Sequence, residues 1–122
     1  NCRKSHYLSI YLILLPKSFP ELTISREQIF SKIAQAFGYD DIDFESHEFS
    51  KTFCVRSGDK QFAYDFCNTS MMEYLLANQD LSLEVERDTL AIGFNEKLTP
   101  GRLEVSYLRL QEIRSRIPDY LF

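Results

Sequence analysis

The pattern of apolar and polar positions changes period several times along this chain, and each change marks a predicted element. Residues 6–15 are almost continuously apolar, with Tyr7, Ile10, Tyr11 and Ile13 among them, the pattern of a strand covered on both faces. Lys17, Ser18 and Pro20 break that run, and Leu22 and Ile24 then alternate with Thr23 and Ser25 in a brief second strand. Ser25 and Gln28 make a capping box ahead of Ile29, Phe30, Ile33, Ala34 and Phe37, whose spacing paints one face of a helix that Gly38 ends.

Alternation returns after Gly38. Ile42 and Phe44 alternate with acidic neighbours, and Phe49, Phe53 and Val55 with polar ones, so one or two strands are expected between residues 41 and 57. Gly58 and Asp59 interrupt. Phe62, Ala63, Phe66 and Cys67 then fall at helical spacing, as do Met71, Met72, Leu75 and Leu76, with fresh caps between Asn68 and Ser70 and a capping box of Ser70 with Glu73. Two short helices meeting near Asn68 are predicted. Leu81, Leu83 and Val85, then Leu90, Ile92 and Phe94, alternate on either side of a turn at residues 86–89, which reads as a hairpin. Thr99 caps a last helix that opens on Pro100 and carries Leu103, Tyr107, Leu110, Ile113 and Ile117 inward until Pro118.

This order of elements predicts an α+β fold: an antiparallel or mixed sheet with three to four helices packed mainly on one face. The 122 residues suffice for a single domain spanning 1–122, with a core that needs neither disulfide nor metal. There is no internal repeat and no flexible linker. The chain opens on Asn1, so it is expected to be the C-terminal part of a longer protein, in which a preceding region can supply targeting or a membrane tether.

Charge narrows the classes of partner. A net charge of −4 and a pI near 5.2 are the reverse of what phosphate-backbone binding requires, so no nucleic acid is expected. The longest apolar run is far short of the roughly 20 residues that cross a bilayer, so no membrane span is expected here. Cys2, Cys54 and Cys67 are too few and too scattered for a disulfide scaffold or a zinc site, and read as reduced thiols of a cytoplasmic protein.

Candidate chemistry is thin. On a strand of period two, Asp41, Asp43, Glu45 and His47 would line one side as a ladder able to hold a divalent cation or supply acid and base. A calcium loop from Asp41 fails, because Ser46 stands where the glycine belongs and Thr52 where the bidentate acid belongs. A solvated strand face is the simpler reading. His6 and His47 fit no zinc motif, and Cys54, even with Arg56 beside it, reads as a packed or idle thiol. Gly38, Gly58, Gly93 and Gly101 are too dispersed for a phosphate loop, and no serine sits in a nucleophile elbow. Arg102, Arg109 and Arg116 recur every seven residues, which makes either a solvated face or a basic stripe for an acidic partner. Tyr64, Tyr74 and Tyr120 are surplus to the core pattern and can line a groove or an oligomer contact. The sequence therefore nominates no catalytic, cofactor-binding or metal-ligating residue.

Five segments resemble a known family: residues 20–27 with Leu22 and Ile24; residues 41–55 with Phe44, Glu45, Ser46, Glu48, Phe49, Phe53 and Val55; Asp59 with Phe62, Ala63 and Tyr64; Met71 to Glu73 with Leu75 and Leu76; and Arg116, Ile117, Pro118. Together they are similar to the C-terminal half of a group of bacterial proteins described as a domain of unknown function, across most of residues 18–118. The resemblance implies a longer chain and no particular activity. Where that group carries asparagine after the phenylalanine matching Phe49, this chain has Ser50.

The expectation is a non-enzymatic protein-interaction or ligand-binding module without cofactor, acting on a protein partner or by self-association. The rival is a metal-assisted hydrolase built on the acidic strand at residues 41–47, and a third reading is an oligomerisation domain joined through the segment around Met72.

Overall fold

A computed structural model of the chain describes residues 9–26, 42–94 and 100–122, without the side chain of Arg102. Three strands form one antiparallel sheet of order β2-β1-β3: β1 is Ser9–Ser25, β2 is Cys54–Ser57 and β3 is Leu81–Phe94. The helices among the described residues are α1 (His47–Thr52), α2 (Lys60–Phe66), α3 (Thr69–Ala77) and α4 (Pro100–Ser115), followed by a 3₁₀ turn at Asp119–Leu121. The fold class is α+β, as the element order implies.

Two expected breaks turn out to be irregularities inside long strands. Leu83 and Val85 sit in the core, and so do Leu90 and Ile92, yet 85 and 90 are an odd number apart, so a regular strand would send one set outward. The sequence pattern reads as a hairpin for that reason. The chain instead keeps one direction and absorbs the phase change at Arg87, whose φ of 58° lies in the left-handed region. β1 makes the matching adjustment: Leu14 pairs with Thr89 and Phe19 with Arg87, so residues 15–18 face Asp88 alone. Pro16 and Pro20 fall in or beside these register shifts, where a missing amide donor breaks no ladder bond. The expected second strand at Leu22 and Ile24 is therefore the far end of β1, pairing Leu22 with Val85 and Ile24 with Leu83.

The stretch at residues 41–57 also departs from expectation. Residues 42–46 form a loop, and Phe49 lies in α1 rather than on a strand. Ser46 wins that segment for the helix, because its hydroxyl accepts the Phe49 amide at 3.2 Å and caps the first turn. Only β2 is a strand, pairing Val55 with Ile24 and Arg56 with Thr23. The expected helix over residues 29–37 lies outside the described residues.

α2 and α3 form as the periodicity predicts, with Asp59 and Asn68 as their caps. Asn68, not Ser70, caps α3: its Oδ1 accepts the Met71 amide at 3.0 Å while its Nδ2 donates to the Arg116 carbonyl at 2.8 Å, tying α3 to the chain after α4. The core is the inward face of the sheet against these helices. Leu22, Ile24, Val55, Leu83, Leu90 and Ile92 meet Phe49, Phe66, Met71, Leu75 and Ile113, all essentially inaccessible.

Candidate interaction site: a groove along the open edge of β1

β2 pairs only with the last residues of β1, from Leu22 to Ser25. Along residues 10–14, β1 has β3 on one side and, among the described residues, no strand on the other. Alternate residues direct their backbone amides and carbonyls to that side, where no described strand takes them up. No charged residue lies between Ser9 and Leu15 to guard the edge.

Side chains make the same stretch unusual. Ile10, Leu12 and Leu14 alternate on the outward face at 53, 69 and 77% exposure. The expectation of a strand covered on both faces is thereby corrected: the inward side is covered, and this outward stripe is not. Their cross-strand neighbours are Gly93, Ala91 and Thr89, small residues that leave the three aliphatic chains standing proud.

The last helix supplies the facing wall. Leu103 and Tyr107, expected inside, are exposed, and Leu110 is half-buried, whereas Ser106, Ile113 and Ile117 are buried. The helix packs through the face that carries Ser106, Ile113 and Ile117, and Leu103 and Tyr107 lie to one side of that face. Between it and β1 runs a groove of about 620 Å³ lined by Leu12, Ile13, Tyr107, Leu110, Gln111 and Arg114. That volume is in the range of ligand and peptide sites, and the lining is mostly apolar with few polar groups.

The other candidates fare differently. Asp43 and Glu45 are exposed on a loop and His47 opens α1, so the acidic ladder does not exist as a strand face. Asp41 and His6 lie outside the described residues, among which no group of three or more His, Cys, Asp or Glu side chains is placed to hold a metal. A cleft of about 490 Å³ does lie beside Asp43 and Glu45, walled by Tyr64, Asn68 and Met72. Tyr64 donates to the Asp43 carbonyl at 3.2 Å and packs edge-on against Phe44, so it serves as a brace for the loop. Cys67 is buried, and burial pushes its thiol far above the ordinary range, which leaves it protonated and unreactive. Cys54 and Arg56 share the half-buried face of β2.

The arginine spacing has a third meaning that neither expectation covered. Arg109 grips Asp80 through two hydrogen bonds of 2.6 and 3.1 Å and lies over the Phe94 ring at 4.5 Å. Burial alone would lower its pKa, but the bonds to Asp80 and the neighbouring Tyr74 outweigh that and raise it. Arg116 binds Glu112 one turn back and covers the Tyr74 ring. Two of the three cations thus fasten α4 to the body. Tyr120 donates to Asp65 at 3.0 Å. Tyr64, Tyr74 and Tyr120 are all engaged within the fold, and the aromatic ring at the groove is Tyr107. Met71 is fully buried and Met72 half-buried, so the segment around them is mainly core.

On the outward face of the sheet, Glu84, Glu86 and Asp88 gather beside Leu12 in a shallow depression. Burial first, and then repulsion from Glu86 and Glu21, raise the Glu84 pKa.

No helix among the described residues is long and apolar enough to cross a membrane. No family model, no curated protein and no solved structure matches this chain.

Proposed function

We propose that this domain is a protein-interaction module, not a catalyst, and that it engages its partner along the edge of β1 and the exposed half of α4. The observation that carries the reading is the stripe Ile10, Leu12 and Leu14, three large aliphatic side chains exposed side by side along a stretch of β1 that, among the described residues, has a strand on one side alone. Contiguous exposed apolar surface of this kind marks partner contacts. Chemistry has no comparable support, since the described nucleophile candidates are a buried thiol and a half-buried one, and Asp43 and Glu45 sit exposed on a loop. The bacterial family that the sequence motifs resemble, and a cytoplasmic location in keeping with the buried thiol of Cys67, belong to the same proposal.

A photo-crosslinking residue placed at Leu14 or at Tyr107 in cells tests it, with Tyr120, equally exposed elsewhere, as control. Protein adducts at Leu14 and Tyr107 and none at the control are expected. Equal or absent adducts at all three would sink the reading.

A further inference from the structure

We infer that the outward face of the sheet receives a basic amphipathic helix of another protein, its apolar residues against Ile10, Leu12 and Leu14 and its lysines or arginines against Glu84, Glu86 and Asp88. The inference rests on the interaction reading above, through the stripe, and names the chemistry of the partner. Ile10, Leu12 and Leu14 are 53, 69 and 77% exposed. They offer on the order of 350 Å² of contiguous apolar surface, the size of patch that marks a partner contact. An occupant buries these side chains only by lying on the face of the sheet, not beside its edge. From Ile10 to Leu14 the ridge runs about 14 Å, the length of two to three turns of helix. Next to it Ala91 and Thr89, which pair with Leu12 and Leu14, are small and half-buried, so the ridge borders a trough into which helix side chains can pack.

Charge selects among occupants. Where the ridge ends, the same face turns acidic: the depression beside Leu12 is lined by Glu84, Glu86 and Asp88, with Arg87 as their counter-charge among the described residues that line it. Burial and then repulsion from Glu86 and Glu21 raise the Glu84 pKa, so the face carries its negative charge at a cost that an incoming cation relieves. A second copy brings more of the same sign, since each chain has a net charge of −4, and an anionic membrane surface is repelled likewise. Residues 27–41 have the wrong sign too, with Glu27, Asp40 and Asp41 against Lys32. Arg3 and Lys4 have the right sign but not the reach. Arg3 is separated from Ile10 by at most about 25 Å of chain, whereas Glu84, opposite Thr23, lies roughly 40 Å along β1 from Ile10.

Two labelled synthetic helices of about 18 residues serve as probes, each with leucines at spacings of three and four and lysines clustered at one end, N-terminal in one and C-terminal in the other. Fluorescence anisotropy with the purified 122-residue chain should show saturable binding of at least one, lost when its lysines are exchanged for glutamates. Glu84→Gln combined with Glu86→Gln and Asp88→Asn should weaken binding at least about fivefold, and Leu12→Ser by a similar factor. Glu48→Gln with Glu73→Gln and Asp119→Asn removes the same charge from exposed sites elsewhere and should change the affinity by less than about twofold. Far-ultraviolet dichroism checks that every variant is folded. Absence of saturable binding overturns the inference, and so does equal binding of the glutamate probe, or a loss no greater in the first triple variant than in the second. In cells, the segments captured at Leu14 should carry net positive charge. Captured segments that are neutral or acidic, or that come from a second copy, overturn the partner's chemistry and leave the interaction reading standing; no adducts at Leu14 and Tyr107 overturn both.

Discussion

At the scale of single residues, the loop before α1 depends on one hydroxyl. Ser50 accepts the Phe44 amide at 2.7 Å and donates to the Phe44 carbonyl at 3.3 Å, closing both hydrogen-bonding groups of one residue from six positions away. Phe44 in turn packs edge-on against Phe49 and Tyr64, so the loop's place on the core follows from that clasp. Ser50→Ala should cost about 1–2 kcal/mol in chemical denaturation, because it leaves both groups without their partner. Ser50→Asn should cost much less, since an amide also donates and accepts. Little of this was legible beforehand: a serine in a polar run reveals nothing of its partner until the chain has folded back on itself. Cys67 was legible as core, because its spacing from Phe62, Ala63 and Phe66 is local.

At the scale of elements, local signals succeeded where one period ruled and failed where two competed. α2, α3 and the C-terminal part of α4 follow from apolar spacing and nearby caps. α1 was hidden because Phe49 and Phe53 are four apart, a spacing that suits either a helix turn or alternate strand positions, and β-rich neighbours tipped the reading toward strand. β3 was read as two strands because its apolar phase slips between Val85 and Leu90. A turn and a bulge produce the same slip in sequence, and only the partner β1 decides between them. The bulge carries a cost at Arg87, whose backbone is held in a left-handed conformation that disfavours every L residue with a Cβ. Arg87→Gly should therefore stabilise the fold by about 0.5–1 kcal/mol in thermal or chemical unfolding. Loss of stability there would show that the arginine side chain contributes more than its backbone strain removes. The groove was missed for a related reason: Leu103 and Tyr107 lie at the margin of the apolar stripe that runs on to Ile113 and Ile117, and spacing alone does not say how far round a helix the core reaches.

At the scale of the whole molecule, the outward face of the sheet is divided between an apolar end at Ile10, Leu12 and Leu14 and an acidic end at Glu21, Glu84 and Glu86. Because the folded state raises the Glu84 pKa, folding favours the protonated side chain. Its contribution to stability is fully present below the ordinary carboxylate range and is lost as pH rises through the raised value. Glu84→Gln should accordingly stabilise the protein at neutral pH and have no effect in acid below the carboxylate range. Half-exposure and salt screening keep the gain to about 0.5 kcal/mol or less. Melting curves of both proteins across pH check the sign, and a difference that grows toward acid would contradict it. The long ribbon of β1 and β3 has a consequence in time. Leu12 pairs with Ala91, 79 positions further on. A ribosome adding about 5–20 residues per second takes about 4–16 s to cover that distance. For that interval the most apolar of the three described strands waits for a β3 neighbour that has yet to be made, so the nascent chain carries its own aggregation hazard until residue 91 has been added and has emerged.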